Sequence, residues 1–327
     1  MSVPEFELIQ RFFNRQILGK SDIVLGVGDD AALISTPPGQ QLVIAIDTLV
    51  KGVHFPETTS PYDIGWKALA VNLSDLSAMG GEPAWFTLAL TLPESSETWL
   101  TEFSRGLFDL ANHYALPLVG GDTTRGPLTV TIQIAGYVPP GQALLRAGAS
   151  PGDHIYVSGT LGDATLALQL LAGEIPANAT DYPELLTHLN RPLPRIAEGR
   201  ALRGIASCAI DISDGLLADL QHILDASNCG AEIFQDRLPV SPSARKLLGR
   251  YPELWRAMIS GGDDYQLCFC VAPENIARLT QTAQQHDFHF TEIGRVCAAK
   301  ELWCLDAMGK PVDISARGYT HFAKENE

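Results

Sequence analysis

Apolar residues recur along this chain with two periods, and those periods mark out its elements. Ile9, Phe12 and Phe13 are spaced as on one side of a helix, which predicts an amphipathic helix over residues 5–18. The run LVIAI predicts a short buried strand that ends at Asp47. Ser60-Pro61 pairs an N-cap residue with a proline suited to the first helical position, and Gly80-Gly81 supplies a stop, so a helix is predicted between them. WFTLALTL reads as a strand, residues 96–114 as a second long helix, and PLVGGD and LTVTIQIAGYV as further strands.

The pattern breaks at residues 139–153, PPGQALLRAGASPGD, whose glycines and prolines predict a linker. Beyond it HIYVSGT reads as a strand leading into the helix DATLALQLLAG. CAI leads into the helix DGLLADLQHILDAS, and YQLCFCV precedes a helix over residues 274–285. No fixed-period repeat or low-complexity tract is present. Strands and helices on both sides of the linker predict two domains of α/β (α+β) type, residues 1–138 and 154–327.

Composition narrows the setting. With 327 residues, 46% of them hydrophobic, the chain can build two cores. The opening MSVPEFELIQRFFNRQ carries early acids and no apolar signal core, and no apolar run is long enough to span a bilayer. The six cysteines form no C-x-x-C pair, which predicts buried free thiols in a reducing, cytoplasmic compartment. A net charge of −15 argues against a nucleic-acid surface, though an acidic protein can bind phosphates when cations stand between the two.

The aspartates carry the chemistry. Asp29-Asp30 follow Gly28, Asp47 follows LVIAI, Asp75 lies in NLSDLSAMGG and Asp122 follows Gly120-Gly121. Asp211 and Asp214 sit in DISDG, and Asp263-Asp264 follow Gly261-Gly262. Each motif alone is as readily an ordinary turn, because aspartate suits turns and helix caps. Together they place many carboxylates beside apolar runs, an arrangement that hard cations such as Mg²⁺ relieve. Asp75 is the sharpest case: it falls mid-helix among residues too apolar for an exposed face.

Other chemistries fit less well. GVGDDA matches the dinucleotide fingerprint G-x-G-x-x-A, but Thr36-Pro37-Pro38-Gly39 follows where a helix is needed. No G-x-x-x-x-G-K-[ST] loop and no G-x-S-x-G elbow is present, and no H-x-x-x-H spacing occurs among the histidines. His54, in DTLVKGVHF, lies near Asp47 in sequence, and by itself is equally a solvated loop residue.

GVGDDAALI, DTLVKGVHF, NLSDLSAMGG, GGDTTRG, DISDG and GGDDYQL, in this order, closely resemble the thiamine-monophosphate kinase family. That family belongs to an ATP-binding superfamily with aminoimidazole ribonucleotide synthetase, selenophosphate synthetase and a hydrogenase-maturation enzyme. The resemblance implies an N-terminal α/β domain that forms a β-barrel with a second subunit, a C-terminal α/β domain, and ATP with several magnesium ions between the domains. It implies Asp30, Asp47, Asp75, Asp122, Asp211 and Asp214 as metal ligands, and Gly121, Asp122, Arg146 and Ser213 as ATP contacts. His54, Asp263 and Tyr319 would line the acceptor pocket. The activity implied is direct transfer of the ATP γ-phosphoryl group to thiamine monophosphate, by a cytoplasmic homodimer with no nucleic-acid or membrane partner.

Two departures accompany the match. Ala45 and Ile46 stand where family members commonly carry hydroxyl residues, so side-chain ligation there is impossible and the number of metals stays open. Asp263 and Tyr319 replace the usual glutamate and tryptophan with residues of the same chemical type. Selenophosphate synthesis lacks its N-terminal cysteine here, since the first is Cys208, and the chain ends HFAKENE without a terminal cysteine. Another ATP-using superfamily member and a non-catalytic divalent-metal-binding protein are the alternatives.

Overall fold

The computed structural model describes residues 5–14 and 22–314. The chain divides into two compact units, residues 1–76 with 81–143, and residues 77–80 with 144–327.

The first unit opens with α1 (Glu5–Leu8), continued by a wider π-turn over Ile9–Phe13, so the predicted helix is interrupted at Asn14. A small antiparallel pair follows, β1 (Ile23–Leu25) with β2 (Leu33–Ile34). Then come β3 (Gln41–Val50), α2 (Pro61–Ala78), β4 (Glu82–Leu92), α3 (Glu97–His113), β5 (Leu118–Arg125) and β6 (Thr129–Val138). Their four-stranded sheet has the order β3-β6-β4-β5, with β4 and β5 parallel and the other neighbours antiparallel.

Local chemistry accounts for the helix ends. Ser60 Oγ accepts the Asp63 N–H at 3.1 Å and donates to the Asp63 carboxylate at 2.8 Å, a reciprocal cap at the start of α2. Ser96 Oγ accepts the Trp99 N–H at 3.4 Å to open α3. Ala68, Leu69, Ala70, Leu73 and Leu76 are all fully buried, so α2 has apolar contacts around most of its circumference and is a core helix.

Strand β3 differs from the short buried strand predicted from LVIAI. It pairs residue for residue with β6 from Gln41↔Val138 to Val50↔Thr129, so Asp47 lies within the strand rather than at its end. β6 offers ten consecutive partners, and pairing continues past the acid. Alternation along the edge strand β3 puts Leu42, Ile44 and Ile46 on one face, where they are exposed at 42%, 53% and 63%. Asp122 likewise lies inside β5.

The second unit contains β7 (His154–Ser158), α4 (Asp163–Leu171), α5 (Pro183–Asn190), α6 (Ile196–Ala201), β8 (Cys208–Asp211) and α7 (Leu216–Ser227). It continues with β9 (Gly230–Phe234), α8 (Pro242–Leu248), α9 (Trp255–Ser260), β10 (Leu267–Val271), α10 (Ile276–His286), β11 (Phe290–Cys297), β12 (Leu302–Leu305) and β13 (Pro311–Val312). Its seven strands are ordered β13-β12-β9-β11-β7-β10-β8. Strand β10, LCFCV, is wholly apolar and every residue of it is buried, as a strand covered on both faces must be. Among the described residues no helix is long and apolar enough to cross a membrane.

Candidate active site

In the first unit, strand β3 and helix α2 bring two acids together. The Asp47 side chain hydrogen-bonds that of Asp75. Burial raises the Asp47 carboxyl above its ordinary range, while the Asp75 contact and the nearby His54 draw it down. Asp75 is half-buried, between fully buried Ser74 and Leu76. His54 occupies the turn after β3, where Nδ1 accepts the Val50 N–H at 2.9 Å. That bond leaves Nε2 as the ring's proton-bearing nitrogen in its neutral form.

A cavity of about 690 Å³ lies in the same unit. The 26–32 loop between β1 and β2, strand β5 from Leu118 to Thr123, and Ile9 and Phe13 of the first helical segment contribute to its walls. Asp29, Asp30, Gly121 and Asp122 all line it. Asp29 Oδ1 accepts the Asp30 N–H at 2.9 Å, tying the two acids of the loop to one another. Gly121 is required by packing, because a Cβ there would lie 1.9 Å from the Leu88 carbonyl oxygen on β4. The loop is held by its flank: Tyr137 on β6 donates to Asp22 at 3.0 Å, just before β1.

In the second unit, Asp211 ends β8 and is buried, with Ser213 exposed and Asp214 half-buried in the turn before α7. Asp219, one turn inside α7, organises that segment. Its Oδ2 accepts the backbone N–H groups of Ser213, Asp214 and Gly215 at 3.0, 3.0 and 3.1 Å. Burial, then the Asp211 charge, outweighs these bonds and pushes the Asp219 carboxyl up to about 7.

The segment before β10 locks onto this turn. Asp263 donates its N–H to Ser213 O at 2.9 Å, Tyr265 to Ile212 O at 2.8 Å, and Ile212 to Gln266 O at 2.7 Å. Gly262 allows the approach, since a Cβ there would lie 1.9 Å from Ser213 O. Asp263 and Tyr265 both adopt left-handed backbone, with φ of +70° and +49°, unusual for side chains other than glycine. The Tyr265 hydroxyl donates to Asp263 Oδ1 at 2.9 Å. Asp264 points elsewhere: both its oxygens accept the Gly162 N–H, at 2.9 and 2.8 Å, where α4 begins. Burial holds its carboxyl well above the ordinary range.

The residues expected from sequence therefore fall into local groups. Asp47 joins Asp75 beside His54, Asp30 joins Gly121 and Asp122 around the cavity, and Asp211, Ser213 and Asp214 share one turn with Asp263 hydrogen-bonded to it. Arg146 is exposed in the 139–153 segment. Tyr319 lies outside the described residues. The anchor Asp219 and the partner Tyr265 were not singled out from sequence, and Asp264 was named only as a member of the GGDDY motif, without a role. Asp219 had a signal, an acid in the first turn of a helix that opens just after a glycine.

Magnesium, implied by the resemblance, suits this donor set. Among the described residues, no three His, Cys, Asp or Glu side chains form a complete metal cage. Mg²⁺ commonly takes only one or two carboxylates, completing its shell with water and substrate phosphates. Two hydrogen-bonded carboxyls on β3 and α2 are such a partial set.

Residues 28–138 match the family described as AIR synthase related protein, N-terminal domain, and residues 150–303 match its C-terminal domain. The chain is 49% identical to thiamine-monophosphate kinase of Escherichia coli K12 over 327 residues, 99% of each chain. It is 47% identical to the crystal structure of thiamine-monophosphate kinase from Stenotrophomonas maltophilia K279a, with a TM-score of 0.86 over 95% of this chain and 99% of that one. A structure described as AaThiL complexed with AMPPCP and TMP matches at 32% identity and a TM-score of 0.77, over 90% of this chain and 92% of the other. Hydrogenase maturation protein HypE in complex with ATP, 19% identical with a TM-score of 0.73, shares the fold. On these full-length identities, with both domains matched, the chain belongs to the thiamine-monophosphate kinase family.

Proposed function

We infer that this chain transfers the γ-phosphoryl group of ATP to thiamine monophosphate, forming thiamine diphosphate. The observation that carries the reading is the Asp47–Asp75 carboxyl pair, in a chain 49% identical throughout to a thiamine-monophosphate kinase. The related complex with AMPPCP and TMP supports the same pair of substrates.

Phosphoryl transfer depends more on positioning and charge neutralisation than on covalent help. The acceptor oxygen of a phosphate monoester is already ionised near neutral pH, so no nucleophilic triad or strong base is needed. Bound magnesium ions would supply the positive charge that lets two phosphate groups approach. In the first unit, Asp30, Asp47, Asp75 and Asp122 would hold those ions, and Gly121 and Asp122 would meet the nucleotide. In the second, Asp211 and Asp214 would be ion ligands, and Ser213 and Arg146 nucleotide contacts. His54, with Nε2–H as a donor, would orient the acceptor, and Asp263 would face its cationic ring system. Tyr319 belongs to the same proposal as an aromatic platform.

Assembly as a homodimer is part of this reading. Leu42, Ile44 and Ile46 form an exposed apolar row on an unpaired sheet edge, a surface that a second copy would cover in completing a barrel. All six cysteines are free, which is compatible with a reducing, cytoplasmic setting. The domain limits proposed are residues 1–138 and 154–327.

The test is a coupled assay of ATP consumption with thiamine monophosphate, thiamine and an aminoimidazole ribonucleotide precursor offered side by side. Consumption with thiamine monophosphate alone is expected. Turnover with another acceptor, or none with any, would reject the assignment. Sedimentation at micromolar concentration should report a dimer.

A further inference from the structure

We propose that Asp219 is a positioning residue for phosphoryl transfer, setting where Asp211, Ser213 and Asp214 present their oxygens. The proposal rests on the reading of Asp211 and Asp214 as cation ligands. Asp219 is 3% exposed, and its Oδ2 accepts three consecutive backbone N–H groups, from Ser213, Asp214 and Gly215. With that oxygen's lone pairs directed at three donors, it is poorly placed to bind a cation itself. Its effect is on the chain that carries the ligands.

Three successive peptide units aimed at one point leave the turn little conformational freedom. The other side of the turn is fastened as well: Ile212 O and Ser213 O accept N–H groups from Tyr265 and Asp263. Removing Asp219 would release one side while the other stayed attached, so the turn would drift rather than unfold. Supporting groups of this kind typically alter metal affinity by about 10–100-fold when lost. A plain helix-capping role makes a different demand, since it would cost stability and leave the metal dependence alone.

Asp219→Ala, Asp219→Asn and Asp214→Asn separate these possibilities. For each, the thermal midpoint, kcat, the half-saturating Mg²⁺ concentration and hydrogen exchange of peptides spanning residues 211–216 are measured. Asp219→Ala should stay folded, need at least about tenfold more Mg²⁺, lose at least about tenfold in kcat, and exchange the turn amides faster. Asp219→Asn, which keeps an acceptor oxygen, should remain within about threefold of wild type. A folded Asp219→Ala enzyme with unchanged Mg²⁺ dependence would overturn the proposal. Equal losses in the alanine and asparagine variants would overturn it too, by assigning the effect to charge. If Asp219→Ala does not fold, exchange in the wild type decides: unprotected amides at residues 213–215 would overturn the proposal, and protected ones would support it. Asp214→Asn tests the underlying reading separately. Near-wild-type activity there removes Asp214 from the cation site, whereas a loss there with a normal Asp219→Ala enzyme sinks only the positioning role.

Discussion

Asp47 on the edge strand β3 and Asp75 in the core helix α2 share a side-chain hydrogen bond. Two carboxyls so placed cannot both ionise cheaply without a cation nearby. On the proposed reading, a bound cation would relieve that cost.

Replacing Asp75 by asparagine removes one of the two charges and keeps the shape. Folding should survive, and the metal-free protein should melt no lower than wild type. The value of kcat should fall by about 100-fold or more, equivalent to about 2.7 kcal/mol of transition-state stabilisation. Calorimetry with and without Mg²⁺ gives the complementary reading, since the shift in midpoint on adding the ion should shrink. Near-wild-type turnover at saturating Mg²⁺ would remove Asp75 from the catalytic machinery.

Tyr265 orients Asp263 through its hydroxyl. Tyr265→Phe should raise KM for thiamine monophosphate several-fold while KM for ATP stays within about twofold, because one intramolecular hydrogen bond contributes about 1 kcal/mol net. Steady-state kinetics with each substrate varied in turn makes the check. Equal changes in both KM values would mean that the turn as a whole had moved.

His188 on α5 meets the buried carboxylate of Asp163, Nδ1 to Oδ2, at 2.8 Å. Asp163 also accepts from Thr160 at 2.7 Å and Ser241 at 2.6 Å. The Asp163 bond raises the imidazole pKa, burial opposes it, Asp163 and Glu184 add favourable charge, and Arg195 subtracts. A histidine with a raised folded-state pKa contributes stability that is fully present below its unfolded value of 6.5 and lost as pH rises through the folded value. The melting temperature should therefore decline over that interval in wild type, with a shallower decline in His188→Gln. Identical pH profiles would show that the contact carries no proton linkage.

Thiol reactivity should follow burial. Cys208, Cys229, Cys268, Cys270 and Cys304 are buried, and only Cys297 is partly accessible. Burial pushes the Cys304 thiol up to about 11 and holds Cys268 well above its ordinary value. Mass spectrometry of the native enzyme after brief alkylation should find Cys297 modified first, with all six labelled only after unfolding. Early labelling of Cys268 would mean that β10 opens far more readily than its packing implies.

Helix positions were the most legible part of the fold. Ser60-Pro61 and Ser96 are local signals, and their helices begin at Pro61 and Glu97. Strand β3 was misjudged because its length is set by β6, a partner about ninety residues away that no local pattern reveals. The first helix departs from its prediction within the described residues, at Asn14, because a hydrophobic period does not register the switch to a π-turn at Ile9. In the site, the motif acids were legible as a set, since carboxylates beside glycines are uncommon in strand interiors. The supporting roles were not: Asp219 resembles any acid near a helix start, and Asp264, though named within GGDDY, meets its partner, the Gly162 N–H, only through the fold.

The Ile212–Ser213 turn and the Asp263–Gln266 segment hold each other through reciprocal main-chain bonds. They consequently behave as a single inheritable part. A chimera that imports only the 263–266 segment from a relative would have to re-form those bonds against a turn it did not arise with. Recombination between relatives should accordingly yield active enzymes when both stretches come from one parent, and inert ones when they are split.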